Sequence, residues 1–208
     1  METSNERELW QQFQAGDEQA FSTIYSTYFS ILYQYGYHIA QDEALVKDCI
    51  QTLFIEIWRS RRNLATDVSI KFYLLKAMRR HVYRTIRLQA SFVSATALDE
   101  TNPVTQSFSH EFELIAQETT QQRQALLQQA IHQLTNRQRE AITLLYINEL
   151  SYAEIAGIMT LKTRSVYNLI HEALEKLRSQ LNPSNFTWLV FVLFSLVDHV
   201  QRIPGVEQ

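Results

Sequence analysis

Apolar side chains recur three or four positions apart along most of the chain, which is the spacing of amphipathic helices. The pair Gly16-Asp17 interrupts the first helical segment, and Asp17 is suited to cap the helix that follows. The clearest helix is predicted over about 42–62, where apolar residues fill two adjacent positions in every turn. Another is predicted from Ser69, a plausible N-cap, to about Leu88. Each apolar stripe must be buried against other helices, so this half of the chain is predicted to form its own core.

A second helical region is predicted from about residue 121, after a stretch of different composition. Residues 91–120 contain five acidic side chains and no Lys or Arg, and their periodicity is weak. Such a length is unusual for a loop inside one domain, so we predict a flexible acidic linker there. The predicted fold class is therefore all-α. Two small helical domains, at 1–90 and 121–182, are joined by the linker and followed by an apolar extension at 183–208.

Composition narrows the classes of protein that fit this pattern. Only 4 Gly and 3 Pro occur, too few for the many turns of a β-sandwich or barrel. The net charge is −3, so any surface for nucleic acid must be local. The single cysteine, Cys49, excludes an internal disulfide framework, and its place in an apolar stripe predicts a core residue rather than a nucleophile. With a polar N-terminus that lacks the hydrophobic run of a signal peptide, the predicted location is the cytoplasm.

A strongly basic segment stands out against this acidic background. Between Arg59 and Arg87 there are nine basic residues and one acid, Asp67. The candidate strand-binding residues on the outward face of the helix that begins at Ser69 are Lys76, Arg79, Arg80, Tyr83, Arg84 and Arg87. Cations suit phosphates and aromatic rings stack on exposed bases, so this face is a candidate for binding a nucleic-acid strand. A solvated basic face with its aromatic rings turned to the core fits the same pattern.

The second helical region contains a candidate helix-turn-helix. Ser151-Tyr-Ala-Glu154 has the spacing of a capping box that opens a short helix. A turn at 160–163 and a longer amphipathic helix follow, as in a helix-turn-helix, although an ordinary helical hairpin has the same pattern. The candidate base-reading residues near the start of the longer helix are Arg164, Ser165, Tyr167, Asn168 and His171. Tyr152 is predicted to pack between the two helices.

Several motifs, taken in order, resemble a known family. In the first half these are Gly16-Asp17-Glu-Gln-Ala20-Phe21 and Asp48-Cys-Ile-Gln51-Thr-Leu-Phe54 followed by Trp58. In the second half these are Leu134-Thr-Asn-Arg137-Gln138-Arg139-Glu140, Ile147-Asn-Glu-Leu150-Ser151-Tyr152 and Ser165-Val166-Tyr-Asn-Leu-Ile170. Over about residues 5–181 the set resembles the second and fourth conserved regions of the two-domain extracytoplasmic-function sigma factors of bacteria.

This resemblance implies a function and a set of sites. Asp48, Gln51 and Phe54 are expected to dock on core RNA polymerase. The basic helix is expected to capture the non-template strand of the minus-ten element, and the helix-turn-helix to read the minus-thirty-five element as duplex. Core polymerase and promoter DNA are the expected partners, and the existence of an anti-sigma factor is left open. The resemblance implies no catalysis, and we expect no cofactor or small-molecule substrate. The six His residues show no spacing typical of a metal site, so no metal is expected either.

Four positions depart from the family pattern. Thr135 stands where the family usually has Pro, and Thr160 stands where it usually has Gly in the turn. Arg80 replaces a frequent Asn, and Glu172 replaces a frequent Arg, which argues against a phosphate contact there.

Two other classes of protein fit parts of the sequence. One is a helix-turn-helix regulator that does not act as a polymerase subunit. The other is a membrane-linked scaffold, suggested by the apolar run at 186–197. That run is shorter than the roughly 20 residues of a spanning helix and has few basic neighbours, so membrane contact is expected to be only indirect or weak. We predict instead a C-terminal helix that packs on the protein's own domains.

Overall fold

The computed structural model describes residues 2–94 and 130–180, which belong to two compact units that divide the chain near residue 104. Every regular element of these residues is a helix, which confirms the all-α prediction. Apart from its first four residues, the predicted linker at 91–120 lies outside the described residues. The apolar extension at 183–208, with the helix predicted in it, also lies outside them.

Within residues 2–94, the first unit contains four long helices and one short 3₁₀ turn. They are α1 (Glu2–Ala15), α2 (Glu18–Ala40), α3 (Glu43–Ser60), the 3₁₀ turn Arg61–Asn63 and α4 (Ile70–Ser94). Gly16 follows α1 with a φ of +99°, a conformation that glycine adopts without steric cost. The Asp17 carboxylate then accepts the backbone N–H groups of Gln19 and Ala20, so the predicted cap of α2 is confirmed. Asp42 caps α3 in the same way.

Helix α4 begins where it was predicted but ends later. The Ser69 hydroxyl accepts the Phe72 N–H at 3.3 Å, as an N-cap does. The helix continues to Ser94, beyond the predicted end near Leu88. That prediction was wrong because it followed the apolar stripe, which fades after Ile86. Residues 89–94 contain no Gly or Pro, so nothing local stops the backbone hydrogen-bond ladder.

The core of the first unit is built around the apolar stripe of α3. Its buried members are Leu45, Val46, Cys49, Ile50, Leu53, Phe54 and Ile57, whereas Trp58 is only half-buried. Trp10 and Phe13 of α1 are fully buried and stack with ring centroids 5.0 Å apart. Leu75 and His81 of α4 are buried although the sequence pattern did not indicate them. The four helices therefore pack their apolar faces around one aromatic-rich core.

The second unit is described from residue 130. After a helical end at 130–132 come α5 (Asn136–Ile142), a π-helical turn (Thr143–Ile147), α6 (Tyr152–Met159) and α7 (Thr163–Gln180). Both α5 and α6 open with a capping box, formed by Thr135 with Gln138 and by Ser151 with Glu154. The predicted capping box at Ser151 is confirmed, and Thr135 serves as a cap in place of the family's Pro. Helices α6 and α7, with the turn between them, form the predicted helix-turn-helix.

The turn between α6 and α7 places a β-branched residue in the left-handed region. Thr160 has φ +57° and ψ +48°, a conformation that costs non-glycine residues about 1–2 kcal/mol. We expect Thr160→Gly to raise the free energy of unfolding of the second unit by about 0.5–1 kcal/mol, after the larger chain entropy of unfolded glycine is subtracted. Urea unfolding followed by circular dichroism measures this change in the free energy of unfolding.

Thr163→Gly is a matched control for that change. Thr163 is the first residue of α7 and has no positive φ, so the same substitution there should lower stability. Equal effects at the two positions would contradict a strained turn.

Candidate polymerase and nucleic-acid interfaces

The outer face of α3 carries the residues predicted to dock on polymerase. Asp48 and Gln51 are both exposed and lie one turn apart, so a partner can reach them together. Phe54, one turn further on, is only 3% exposed. The structure thus brings the two polar groups together at the surface and places the phenyl ring beneath it.

A groove between α2 and α3 runs beside these residues. It is lined by Phe21, Tyr25, Phe29, Gln51, Phe54, Ile55 and Trp58, with Glu18, Ser22, Lys47 and Arg59 completing its walls. Tyr25 is 40% exposed and Ile55 is 43% exposed, although both are large apolar groups. The Phe54 ring meets the Tyr25 ring edge to face, with centroids 4.8 Å apart. An apolar groove of this kind suits the apolar face of a protein partner.

Sequence reasoning did not identify this groove. Tyr25 shares the helical spacing of the apolar residues along α2, which does not indicate that it is exposed, and no role was predicted for Ile55. A usable signal was present, since Ile55 lies off the buried stripe of α3, next to Gln51 and Asp48. A large apolar side chain at a position otherwise expected to be solvated is informative about binding.

A smaller pocket lies on the other side of α3, against α4. Asp48 lines it together with Cys49, His81 and Thr85. The Cys49 Sγ lies 3.6 Å from the Thr85 Oγ1, and burial raises the pKa of the Cys49 thiol, as suits a protonated core cysteine. Within residues 2–94 and 130–180, no three His, Cys, Asp or Glu side chains come together in a way that could hold a metal ion.

The basic face of α4 presents the predicted strand-binding residues on one side of the helix. Lys76, Arg79, Arg80, Tyr83, Arg84 and Arg87 fall within an arc of about 140° at 3.6 residues per turn. All of them are exposed or half-buried. The Arg79 guanidinium lies 4.5 Å from the Tyr83 ring centroid, and the Lys76 ammonium lies 5.5 Å from that of Phe72. The rings therefore lie among the cations at a partly open surface rather than in the core.

One acidic residue of α3 organises part of this face. A Glu56 carboxylate oxygen lies 3.2 Å from His81 Nε2 and 3.8 Å from an Arg80 guanidinium nitrogen. Burial lowers the pKa of His81, and the nearby Glu56 charge only partly opposes that effect. Glu56 thus links α3 to α4 next to the exposed Arg80.

The start of α7 presents all five predicted base-reading residues to solvent. Arg164, Ser165, Tyr167, Asn168 and His171 are exposed, on the side opposite the buried Val166, Ile170 and Ala173. Tyr167 is 58% exposed, and its ring stacks on that of Tyr152 with centroids 4.6 Å apart. The prediction that Tyr152 packs between the two helices is confirmed. Its ring supports Tyr167 from the side of α6.

Two further residues of the second unit, Gln138 and Arg139, form hydrogen bonds within the protein. The Gln138 amide donates to a Glu172 carboxylate oxygen at 3.2 Å, which ties α5 to α7. Arg139 is buried and donates to the Leu134 carbonyl at 3.2 Å. The sequence pattern did not indicate this role of Arg139, because the carbonyl that accepts from it lies in the bend between the helical residues 130–132 and α5.

Comparison with known protein families shows which family the chain belongs to. The family model for sigma-70 region 2 matches residues 24–92, and that for sigma-70 region 4 matches residues 122–177. The two matches occur in the predicted order and together cover more than half of the chain. The chain belongs to the sigma-70 family. The predicted resemblance to sigma factor regions 2 and 4 is confirmed at the level of the sigma-70 family.

Two solved structures are similar to this chain in fold. CnrH, solved in complex with the cytosolic domain of CnrY, is 19% identical with a TM-score of 0.56, over 84% of this chain and 95% of that one. The sigma factor RpoE from Bartonella quintana, solved with the anti-sigma factor NepR, is 17% identical with a TM-score of 0.57, over 77% and 95%. At these identities the likeness is one of fold. No curated protein matches the chain in sequence.

Family membership establishes the function at the level of the whole chain. As an RNA polymerase sigma factor it binds core polymerase and promoter DNA and directs transcription initiation, as predicted. The alternative of a regulator that never joins polymerase is not favoured, because a region 2 match accompanies the helix-turn-helix. In the parts of the chain that the structure describes, no helix is long and apolar enough to cross a membrane.

Proposed function

We propose that this sigma factor divides promoter recognition between three surfaces. A docking surface on α3 holds core polymerase, the basic face of α4 binds the minus-ten strand, and the start of α7 reads the minus-thirty-five duplex. One observation supports the proposal. In each of the two regions that match the family models, some residues of the sequence motifs that resemble the family are exposed together on one face of a helix.

The docking surface consists of Asp48, Gln51 and Phe54 with the groove beside them. Asp48 and Gln51 supply polar contacts, whereas Phe54 supports the shape of the groove from beneath. Tyr25 and Ile55 add exposed apolar area next to Gln51. A centre of apolar side chains with a polar margin is the usual anatomy of a protein–protein interface.

The strand-binding surface consists of Lys76, Arg79, Arg80, Tyr83, Arg84 and Arg87. The cations neutralise phosphates, and the partly open Tyr83 ring offers a face for an unstacked base. Arg80 stands where the family has a frequent Asn, so base preference at that position is expected to differ from the family's.

Salt dependence tests the strand-binding surface. We expect Arg84→Ala with Arg87→Ala to weaken binding of single-stranded promoter DNA by the polymerase holoenzyme and to flatten its dependence on salt. Each lost phosphate contact lowers the slope of log K against log salt by about 0.7. Fluorescence anisotropy over a salt series measures both quantities. Lys176→Ala, an exposed cation near the end of α7, should leave them unchanged.

The duplex-reading surface consists of Arg164, Ser165, Tyr167, Asn168 and His171. Helix α7 enters the major groove with its N-terminal turns, which is how the second helix of a helix-turn-helix reads base edges. Arg164 suits a phosphate or a guanine, and Asn168 suits an adenine.

The finer organisation of the protein belongs to the same proposal. The functional domains are 1–90 and 121–182, the protein acts in the cytoplasm, and polymerase rather than this chain performs the catalysis, with no cofactor on the chain. An anti-sigma factor is a further partner, as it is for RpoE in its solved structure with NepR. The apolar groove beside Gln51 offers a surface for such a partner.

Transcription from the DNA upstream of the gene that encodes this chain tests the proposal as a whole. We expect a stoichiometric complex with core polymerase in sedimentation and a run-off transcript from one start site that requires the chain. Core polymerase alone is the control. A chain that binds duplex DNA but never forms the complex would support the regulator alternative instead.

A further inference from the structure

One face of α1 runs along the connection that leads into α4. The face carries Glu6, Trp10 and Gln14, which are four residues apart and so lie one above the other on successive turns. The Gln14 amide donates to the Leu64 carbonyl at 2.7 Å, and the Trp10 indole N–H donates to the Ala65 carbonyl at 2.8 Å. Two successive peptide groups of the connection are therefore held by this helix.

The same helix holds the other end of the connection. A Glu6 carboxylate oxygen accepts the Ile70 N–H at 2.9 Å and the Tyr28 hydroxyl at 3.3 Å. Ile70 is the first residue of α4, and its N–H is one of those that an α-helix cannot satisfy internally. The carboxylate also faces the positive end of the α4 dipole. Residues 64–69 are thus fixed at both ends by one rigid element.

The contacts from α1 differ in strength. Trp10 is fully buried and packs on Tyr73, in the first turn of α4, with ring centroids 5.7 Å apart. By contrast, the Arg7–Asp67 ion pair is 2.8 Å long but its side chains are 64% and 83% exposed. Exposed pairs contribute little, so the partly buried hydrogen bonds and the buried Trp10 ring carry the attachment.

The family match does not assign a role to α1. Region 2 matches from residue 24, whereas α1 ends at Ala15. Yet α1 holds the turn of α4 that carries Phe72, whose ring lies 5.5 Å from the Lys76 ammonium at the start of the basic face. First turns fray readily when their backbone groups lack partners, and a frayed turn would displace these groups.

We infer that α1 positions the first turn of α4 for binding of the promoter strand, through Glu6, Trp10 and Gln14. These are positioning residues, since they act on the connection and on the Ile70 N–H rather than on DNA. The inference rests on the proposed role of the α4 basic face. It predicts that loss of the α1 contacts weakens strand binding while docking on polymerase is retained.

Two pairs of variants test the inference in the full chain bound to core polymerase. The probe is a fluorescent single-stranded oligonucleotide of the non-template strand just upstream of the start site mapped in the run-off assay. We expect Gln14→Ala to weaken its binding by about three- to tenfold, the worth of one partly buried hydrogen bond, and Glu6→Ala by about tenfold. Gln12→Ala is the matched control, because Gln12 is exposed and donates only to Glu8, at 3.4 Å. Glu6→Gln keeps an acceptor and should restore most of the binding.

Core-polymerase affinity and thermal unfolding are measured on the same variants. Oligonucleotide binding by folded Gln14→Ala and Glu6→Ala equal to that of the wild type would overturn the inference. A parallel loss of polymerase affinity would also overturn it, because α1 would then only stabilise the unit. If Glu6→Ala does not fold, Gln14→Ala decides the question alone. A wild-type holoenzyme that does not bind the oligonucleotide would instead overturn the proposed role of α4, and this inference with it.

Discussion

Asn168→Ala is expected to remove base discrimination at one or two positions of the minus-thirty-five element. The Asn168 side chain is exposed one turn after Arg164, on the side of α7 opposite the buried Val166 and Ile170. Its amide offers one donor and one acceptor, which match the N6 and N7 edge of adenine in the major groove. Loss of such a bidentate contact costs roughly 1–3 kcal/mol, or about 5- to 150-fold in affinity for the preferred base.

Binding of the full chain to duplexes that carry every single base-pair change measures this effect. Gln180→Ala is the control, since it removes an exposed amide at the other end of the same helix. The expected signature is a loss confined to the sequences that hold the preferred base. A uniform loss on all duplexes would mean that Asn168 positions the DNA backbone and reads no base.

Local chemistry explains why much of the fold was predictable from the sequence. Asp17, Ser69 and Ser151 cap helices because a side-chain oxygen can reach an N–H group two or three residues away. The stripe of α3 was predictable because its apolar residues repeat without a break over about four turns. The end of α4 was not predictable, because residues 89–94 contain neither a residue that stops a helix nor a strong apolar stripe that would continue it.

The surfaces were less predictable where they depend on distant parts of the chain. The exposed polar residues Asp48, Gln51, Arg164 and Asn168 follow from helical periodicity alone. Phe54 belongs to the predicted buried stripe of α3, but its place in the groove depends on the rings of Phe21 and Tyr25 from α2, which pack against it.

The attachment of α4 to α1 could not be predicted from the sequence for the same reason. Trp10 and Ala65 are 55 positions apart, and Glu6 and Ile70 are 64 apart. No local pattern indicates that a buried indole will donate to one particular carbonyl across such a separation. Only the folded unit brings these groups together.

The double change Asp48→Ala with Gln51→Ala is expected to lower affinity for core polymerase without unfolding the protein. Both side chains are exposed on α3. Alanine is the best helix former, and exposed substitutions usually change stability by no more than about 0.5 kcal/mol. If the two residues lie at the centre of the docking surface, their loss should cost about 2 kcal/mol or more, which is roughly 30-fold in affinity.

A matched double variant separates docking from general effects on the surface. Glu8→Ala with Gln11→Ala removes an acid and an amide at the same spacing from exposed positions of α1. Titration of labelled protein with core polymerase should show a weakened complex for the α3 variant only, while circular dichroism and melting temperatures stay the same for both. Unchanged affinity of a folded α3 variant would remove Asp48 and Gln51 from the docking surface. Ile55→Ser would then ask whether the apolar groove alone carries the contact, because Ile55 is exposed and lines that groove.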